Sequence, residues 1–209
     1  MNKTIVLFIA LSIVSSIAIG QIDISKGVKV GLNFATINSN NPPPSLSSVT
    51  QFAVGGFIEL KLPVGFSVEP ELLYNAKGFS WQYTTTMNNS SVNVSLTETL
   101  WYLDIPILVK YYLPIPLIKI SIYAAPSIGL LISAKSKVEE GGITKEGDVK
   151  NLFTASDYGL VFGTCVAVPF VYFDATVDAR YSLGLSNVFK IGDTPMNNRV
   201  FTILIGVSL

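Results

Sequence analysis

Two carboxylates spaced two residues apart, Glu69 and Glu71, are the first candidates for chemistry in this sequence. On a strand they would share one face at roughly 7 Å, from a rise of about 3.4 Å per residue. That separation resembles a carboxylate pair for acid–base work. Asp174, Asp178 and Arg180 form a second charged group at the same alternation. Cys165 is the single thiol, and Gly141-Gly142 lies among Glu139, Glu140, Glu146 and Asp148, where carboxylates could hold calcium. Each candidate has a plainer reading. Histidine is absent, which removes the commonest general base and metal ligand. Cys165 therefore has no imidazole to activate it and reads as a small filler. The acidic stretch around Gly141 fits no EF-hand spacing and reads as a solvated loop. No phosphate-binding glycine motif occurs. Glu69 and Glu71 are expected to join an interior salt network with Lys61 and Lys77, and Asp174, Asp178 and Arg180 to belong to the same network. Catalytic, cofactor-binding and metal sites are not expected, and the chain is read as non-enzymatic.

The elements that hold these residues follow from composition and periodicity. The 209 residues suffice for one domain. Only 13% are charged and 49% are hydrophobic, whereas about a quarter of the residues in a soluble protein are charged. The 14 basic and 14 acidic residues balance, so nucleic acid, which calls for a basic excess, is not an expected partner. Residues 1–20 read as a cleavable signal peptide. Lys3 supplies the positive start, Ile5 to Ile19 the apolar stretch, and Ala18-Ile19-Gly20 the small residues of a cleavage site. Beyond it no stretch of 18 apolar residues occurs. The nearest candidate, Ile105 to Ile118, is broken by Lys110 and three prolines. An apolar chain without a spanning helix points to a barrel.

Alternation at period 2 dominates residues 21–209. Val28, Val30, Leu32 and Phe34 share one face, and Lys29, Gly31, Asn33 and Ala35 the other. Eight such segments are predicted, at about 26–36, 50–62, 66–82, 94–112, 118–134, 152–168, 171–186 and 198–209. Short turns follow segments two, four and six. Longer polar stretches, including Asn38–Val49, Thr84–Asn93 and Ser136–Lys150, follow the odd-numbered segments. That asymmetry predicts an all-β fold, an eight-stranded antiparallel up-and-down transmembrane β-barrel with its short turns in the periplasm. One face is almost free of charge. The other carries Lys29, Glu59, Lys61, Glu69, Glu71, Lys77, Asp104, Lys110, Lys119, Asp174, Asp178 and Arg180. A Lys or Arg facing the bilayer midplane costs about 2–4 kcal/mol, so this face is expected inside, as a lumen charge network. Phe66, Tyr111, Tyr112, Phe170 and Tyr172 near the turns, and Trp81, Tyr83, Trp101, Tyr102 and Tyr158 near the loops, are expected to form two aromatic girdles. Pro70, Pro106 and Pro126 fall inside predicted strands, and each should mark a bulge or a break in the ladder.

Several segments together resemble the PorT-like outer-membrane β-barrel family. They are Gly27 to Thr36, Phe66 to Gly78 with its Glu-Pro-Glu core, Tyr102 to Tyr111, Asp157 to Gly163 and Asp178 to Asn187. The resemblance covers nearly all of residues 21–209. It implies an eight-stranded barrel in the outer membrane of a Gram-negative bacterium, and says little about activity. Two functions stay open at this point. One is a structural or interaction role through the extracellular loops. The other is transport, as a narrow channel or an accessory of protein secretion across the outer membrane. The expected partners are outer-membrane lipid and an extracellular or secretion-system protein, and the barrel is expected to be a monomer.

Overall fold

The computed structural model describes residues 23–40, 42–43, 45–87, 90–190 and 195–209. The expected signal peptide lies outside the described residues. Nine antiparallel strands follow in order: β1 (Asp23–Ser39), β2 (Val49–Lys61), β3 (Phe66–Met87), β4 (Ser90–Tyr112), β5 (Lys119–Glu140), β6 (Ile143–Asp148), β7 (Ser156–Pro169), β8 (Asp174–Gly184) and β9 (Met196–Ser208). Eight of them close a ring, β1-β2-β3-β4-β5-β7-β8-β9, sealed where β9 pairs with β1. Backbone hydrogen bonds between Lys26 and Leu209 extend that seam at the turn end. Closure leaves the ring without an edge strand, which is what a bilayer requires of a sheet.

The connections depart from the expected loops. At one end the turns are short, at 62–65, 113–118 and 170–173. At the other end β3, β4 and β5 run further than predicted, so most of Thr84–Asn93 and Ser136–Lys150 is strand and not loop. These residues are rich in threonine and valine, which favour strands. They were unreadable as strands because polar side chains on both faces erase the period-2 signal outside the bilayer. Gly141 and Gly142, expected in a loop, have φ of 55° and 83°. Two successive positive φ values are what a tight hairpin turn demands, and here they join β5 to β6.

The strand prolines break ladders without shifting register. The β2–β3 ladder lapses between Phe57↔Glu71 and Leu60↔Val68, opposite Pro70. The β3–β4 ladder lapses between Pro70↔Ile107 and Leu73↔Asp104, and β4–β5 between Pro106↔Ser127 and Val109↔Ala124. Pairing resumes in register after each lapse, because proline removes a donor and inserts no residue. The register shift recorded in the β4–β5 ladder lies elsewhere, between Trp101 and Tyr102.

Alternation sorts the side chains as a barrel requires. Val30, Leu32, Val54, Ile58, Leu72, Ile107, Val109, Ile122, Phe162, Val177, Ile203 and Ile205 lie exposed on the outside. Lys29, Asn33, Glu59, Glu69, Glu71, Lys110, Asp178 and Arg180 are buried within. Glycines on the inner face make room for large neighbours. A Cβ on Gly27 would strike the Phe57 ring opposite it, and one on Gly163 would strike Tyr123.

Candidate functional site

The interior nearer the turns is filled by one chain of ion pairs. Arg180, on β8, grips two carboxylates at once. Its Nη atoms donate to Glu71 at 2.6 and 3.0 Å, and Nε and Nη2 donate to Asp178 at 2.9 Å each. Lys29, from β1, reaches Glu69 and Glu71 at 2.6 Å each and stands 3.6 Å from Asp178. Lys110, from β4, takes the other oxygen of Glu69 at 2.7 Å and lies 3.5 Å from Glu59. The Tyr123 hydroxyl donates to Asp178, while Ser67 and Tyr112 donate to Glu59, all at 2.6 Å. The Lys29 ammonium also sits over the Phe57 ring at 4.5 Å. These charges come from five strands, and Tyr123 adds a sixth, so the network fixes ring register as well as filling space. Charged groups buried at this depth persist only when paired and hydrogen-bonded.

A second group lies nearer the mouth. Lys77 bridges Asp104 at 3.0 Å and Asp157 at 3.1 Å. Asn75 donates to Asp104 at 2.6 Å, and Asn198 and Ser186 donate to Asp157 at 2.8 Å each. Asn33 links this layer to the wall by donating to Asn75 and to the Ala76 carbonyl, and by accepting from Thr202. Above it the mouth closes with an apolar plug. Phe79, Leu100, Tyr102 and Leu131 come from the strands, Phe153 and Val188 from the loops after β6 and β8. Phe153 and Phe189 pack with ring centroids 4.8 Å apart.

The structure thus brings together nine of the twelve network residues: Lys29, Glu59, Glu69, Glu71, Lys77, Asp104, Lys110, Asp178 and Arg180. The other three sit at the wetter turn-end rim, where Lys61 meets Asp23 at 3.1 Å and Lys119 meets Asp174 at 2.6 Å. Glu69 and Glu71 have Lys29, Lys110 and Arg180 as partners, not Lys61 or Lys77. Each carboxylate is already held by cations, so neither is free to act as a general base. Cys165 is buried on the inner face. Among the described residues no three His, Cys, Asp or Glu side chains converge as a metal site would need.

Sequence reasoning missed Asp157, Tyr123, Asn33, Asn75 and Asn198. All fall on the inner parity of their strands. Tyr123, Asn33, Asn75 and Asn198 were passed over because only charges were counted there, and Asp157, a charge at that parity, was left out of the count. Three girdle residues need correction. Tyr112 turns inward, with its hydroxyl on Glu59 and the Lys110 ammonium 5.7 Å from its ring centroid. Trp81 stacks on Phe79 at 5.4 Å and packs on the plug, and Tyr102 is buried inside it. Phe79 and Trp81 follow Lys77 at the same parity, which puts them on the inner face. Trp101 and Tyr158 remain outside.

Beyond the mouth, the ends of β3, β4 and β5 continue together and β6 joins them, making a four-stranded projection. Among the described residues its outer edges have no strand partner. The β2–β3 ladder stops at Ala53↔Asn75, with one further bridge at Ser47↔Ser80, and β6 pairs only with β5. The β6 edge carries Lys145, Glu146 and Asp148, whereas the β3 edge past Ser80 reads Gln82-Tyr83-Thr84-Thr85-Thr86 and has no charge.

A family model for the outer membrane protein beta-barrel domain matches residues 19–190. The chain belongs to this outer-membrane β-barrel family. Its charge-filled interior and apolar exterior are what such a location demands, and the outer membrane is its compartment. Among solved structures it is similar to Neisserial surface protein A, at 14% identity and a TM-score of 0.47, covering 88% of this chain and 96% of that one. It is also similar to Ail, the attachment invasion locus protein of Yersinia pestis, at 9% identity and a TM-score of 0.42, covering 90% and 99% in the structure with a heparin analogue. The outer membrane protease OmpT of Escherichia coli shows 8% identity and a TM-score of 0.46, covering 90% and 98%. No curated protein sequence matches the chain.

Proposed function

We propose that this barrel is a non-enzymatic interaction protein, exported by its signal peptide to the outer membrane of a Gram-negative bacterium. In this reading its working surface is the projection built from β3, β4, β5 and β6. The observation that carries it is the pair of strand edges held beyond the mouth of a blocked barrel. Two cavities between the interior charges, of about 30 and 20 Å³, have room for single waters. Unpaired edges are templates for strand addition, and charge is the usual guard against it. The β6 edge has that guard and the β3 edge lacks it, so the partner strand adds to β3. The resemblance of segments such as Phe66 to Gly78 to PorT-like proteins supports assigning the chain to that branch of the family. The test replaces Thr84–Asn93 with a Gly-Asn turn. The shortened protein should still fold, with heat-modifiable migration on gels, and should lose its partners in co-purification from native membranes. Recovery of the same partners would exclude the hairpin as the binding element.

A further inference from the structure

The three short turns are as unusual as the projection. Residues 62–65, 113–118 and 170–173 contain no charged side chain, and Tyr172 is the sole residue with a polar group. Turns in water normally draw on Gly, Pro, Asn, Asp and Ser; Pro63, Gly65, Pro114 and Pro116 meet that need, but no Asn, Asp or Ser occurs in the three turns. Here the tips are Val64, Leu117, Val171 and Tyr172, exposed to 87, 93, 88 and 86%. Two of them also strain the backbone, since Val64 and Leu117 have φ of 59° and 75°. For a β-branched or bulky residue that conformation is unfavourable, and glycine or asparagine would relieve it. Among the described residues these two side chains touch little that could offset the strain.

The placement of the tips points to what they touch. The turns join β2 to β3, β4 to β5 and β7 to β8, and so are spread around the ring. Leu209, 66% exposed, marks the β9–β1 seam on the same rim. Each tip is continuous with the lipid-facing aromatics at its strand ends. Phe66 and Tyr111 lie 5.1 Å apart, and Phe170 and Phe173 stack at 5.0 Å. A lipid leaflet meets a whole rim at once, whereas a protein docked from below would press on one sector. We propose that the turn tips do not stand in water but are seated in the bilayer, wedged at the boundary between headgroups and acyl chains, while the rim charges Lys61, Lys119 and Asp174 stay at the wet lumen opening. Apolar and aromatic side chains are favoured at that depth. The barrel then sits low, leaving the opposite end to project. This inference rests on the outer-membrane location alone and holds whichever partner the projection binds.

The test uses Val64→Cys, Leu117→Cys and Val171→Cys, each carrying a bimane label, in phosphatidylcholine–phosphatidylglycerol vesicles. Cys165 is buried, so the unchanged protein serves as the unlabelled control. Thr144→Cys, on the exposed β6 strand, is the water-facing reference. Labels are read only in protein that shows heat-modifiable migration, and three sites give three independent readings. Lipids with a shallow doxyl group should quench the turn labels while aqueous iodide does not, and the Thr144→Cys label should behave the opposite way. Turn labels quenched by iodide like the reference would overturn the proposal. So would labels that are open to iodide in vesicles and become shielded only in native outer membranes, because that pattern assigns the rim to a protein partner.

Discussion

The two halves of the barrel interior are closed by different means. Nearer the turns, Arg180, Lys29 and Lys110 hold Glu59, Glu69, Glu71 and Asp178 in one connected network supplied by strands alone. At the mouth, the filling is an apolar plug that needs Phe153 and Val188 to arrive from loops. The charged half is specified by register: a one-residue slip in any contributing strand would turn its charges into lipid. The plug is specified by loop closure and shape, and a small shift there costs packing but exposes no charge. Register is thus secured where lipid surrounds the wall, and tolerance is left where the chain meets water.

Mutations can break this contrast. The largest expected effect is Arg180→Met. It leaves Glu71 and Asp178 buried with one cation fewer, and removing one partner of a buried pair costs about 3–5 kcal/mol. Urea unfolding from lipid vesicles should show that loss, and a loss below about 1 kcal/mol, the worth of a surface pair, would mean water reaches the network. Phe153→Ala should be milder, about 2–3 kcal/mol, at or below the usual cost of such a truncation because the mouth can relax around the gap. Hydrogen exchange should locate its effect in the mouth ends of the strands and the loops. An Arg180→Met effect confined to the same region would show that the halves are not separate.

How much of this was legible in the sequence follows the same division. Lys29, Glu59, Glu69, Glu71, Lys110, Asp178 and Arg180 were readable as interior because each alternates with residues that must face lipid. Their pairings were not, since neighbours such as Arg180 and Glu71 stand 109 residues apart and meet only across the closed ring. The plug was missed for two reasons. Trp81 and Tyr102 keep the inner parity but were read as aromatics of the membrane interface. Phe153 and Val188 lie where no periodicity exists. The projection was partly legible: long strands were expected to carry a hairpin outward. Its extent and the β6 strand were hidden because Ile143 to Asp148 is polar and exposed on both faces.

The central claim is that the interior is closed, so that the molecule acts through its surface. Recording the folded protein in planar lipid bilayers tests it most directly. With Arg180, Lys29 and Lys77 in place and water-sized cavities beside them, the unaltered protein should insert without stable conductance steps. Phe153→Ala should stay equally silent, since the ion pairs lie below the plug. Large, long-lived openings in the unaltered protein would contradict the account.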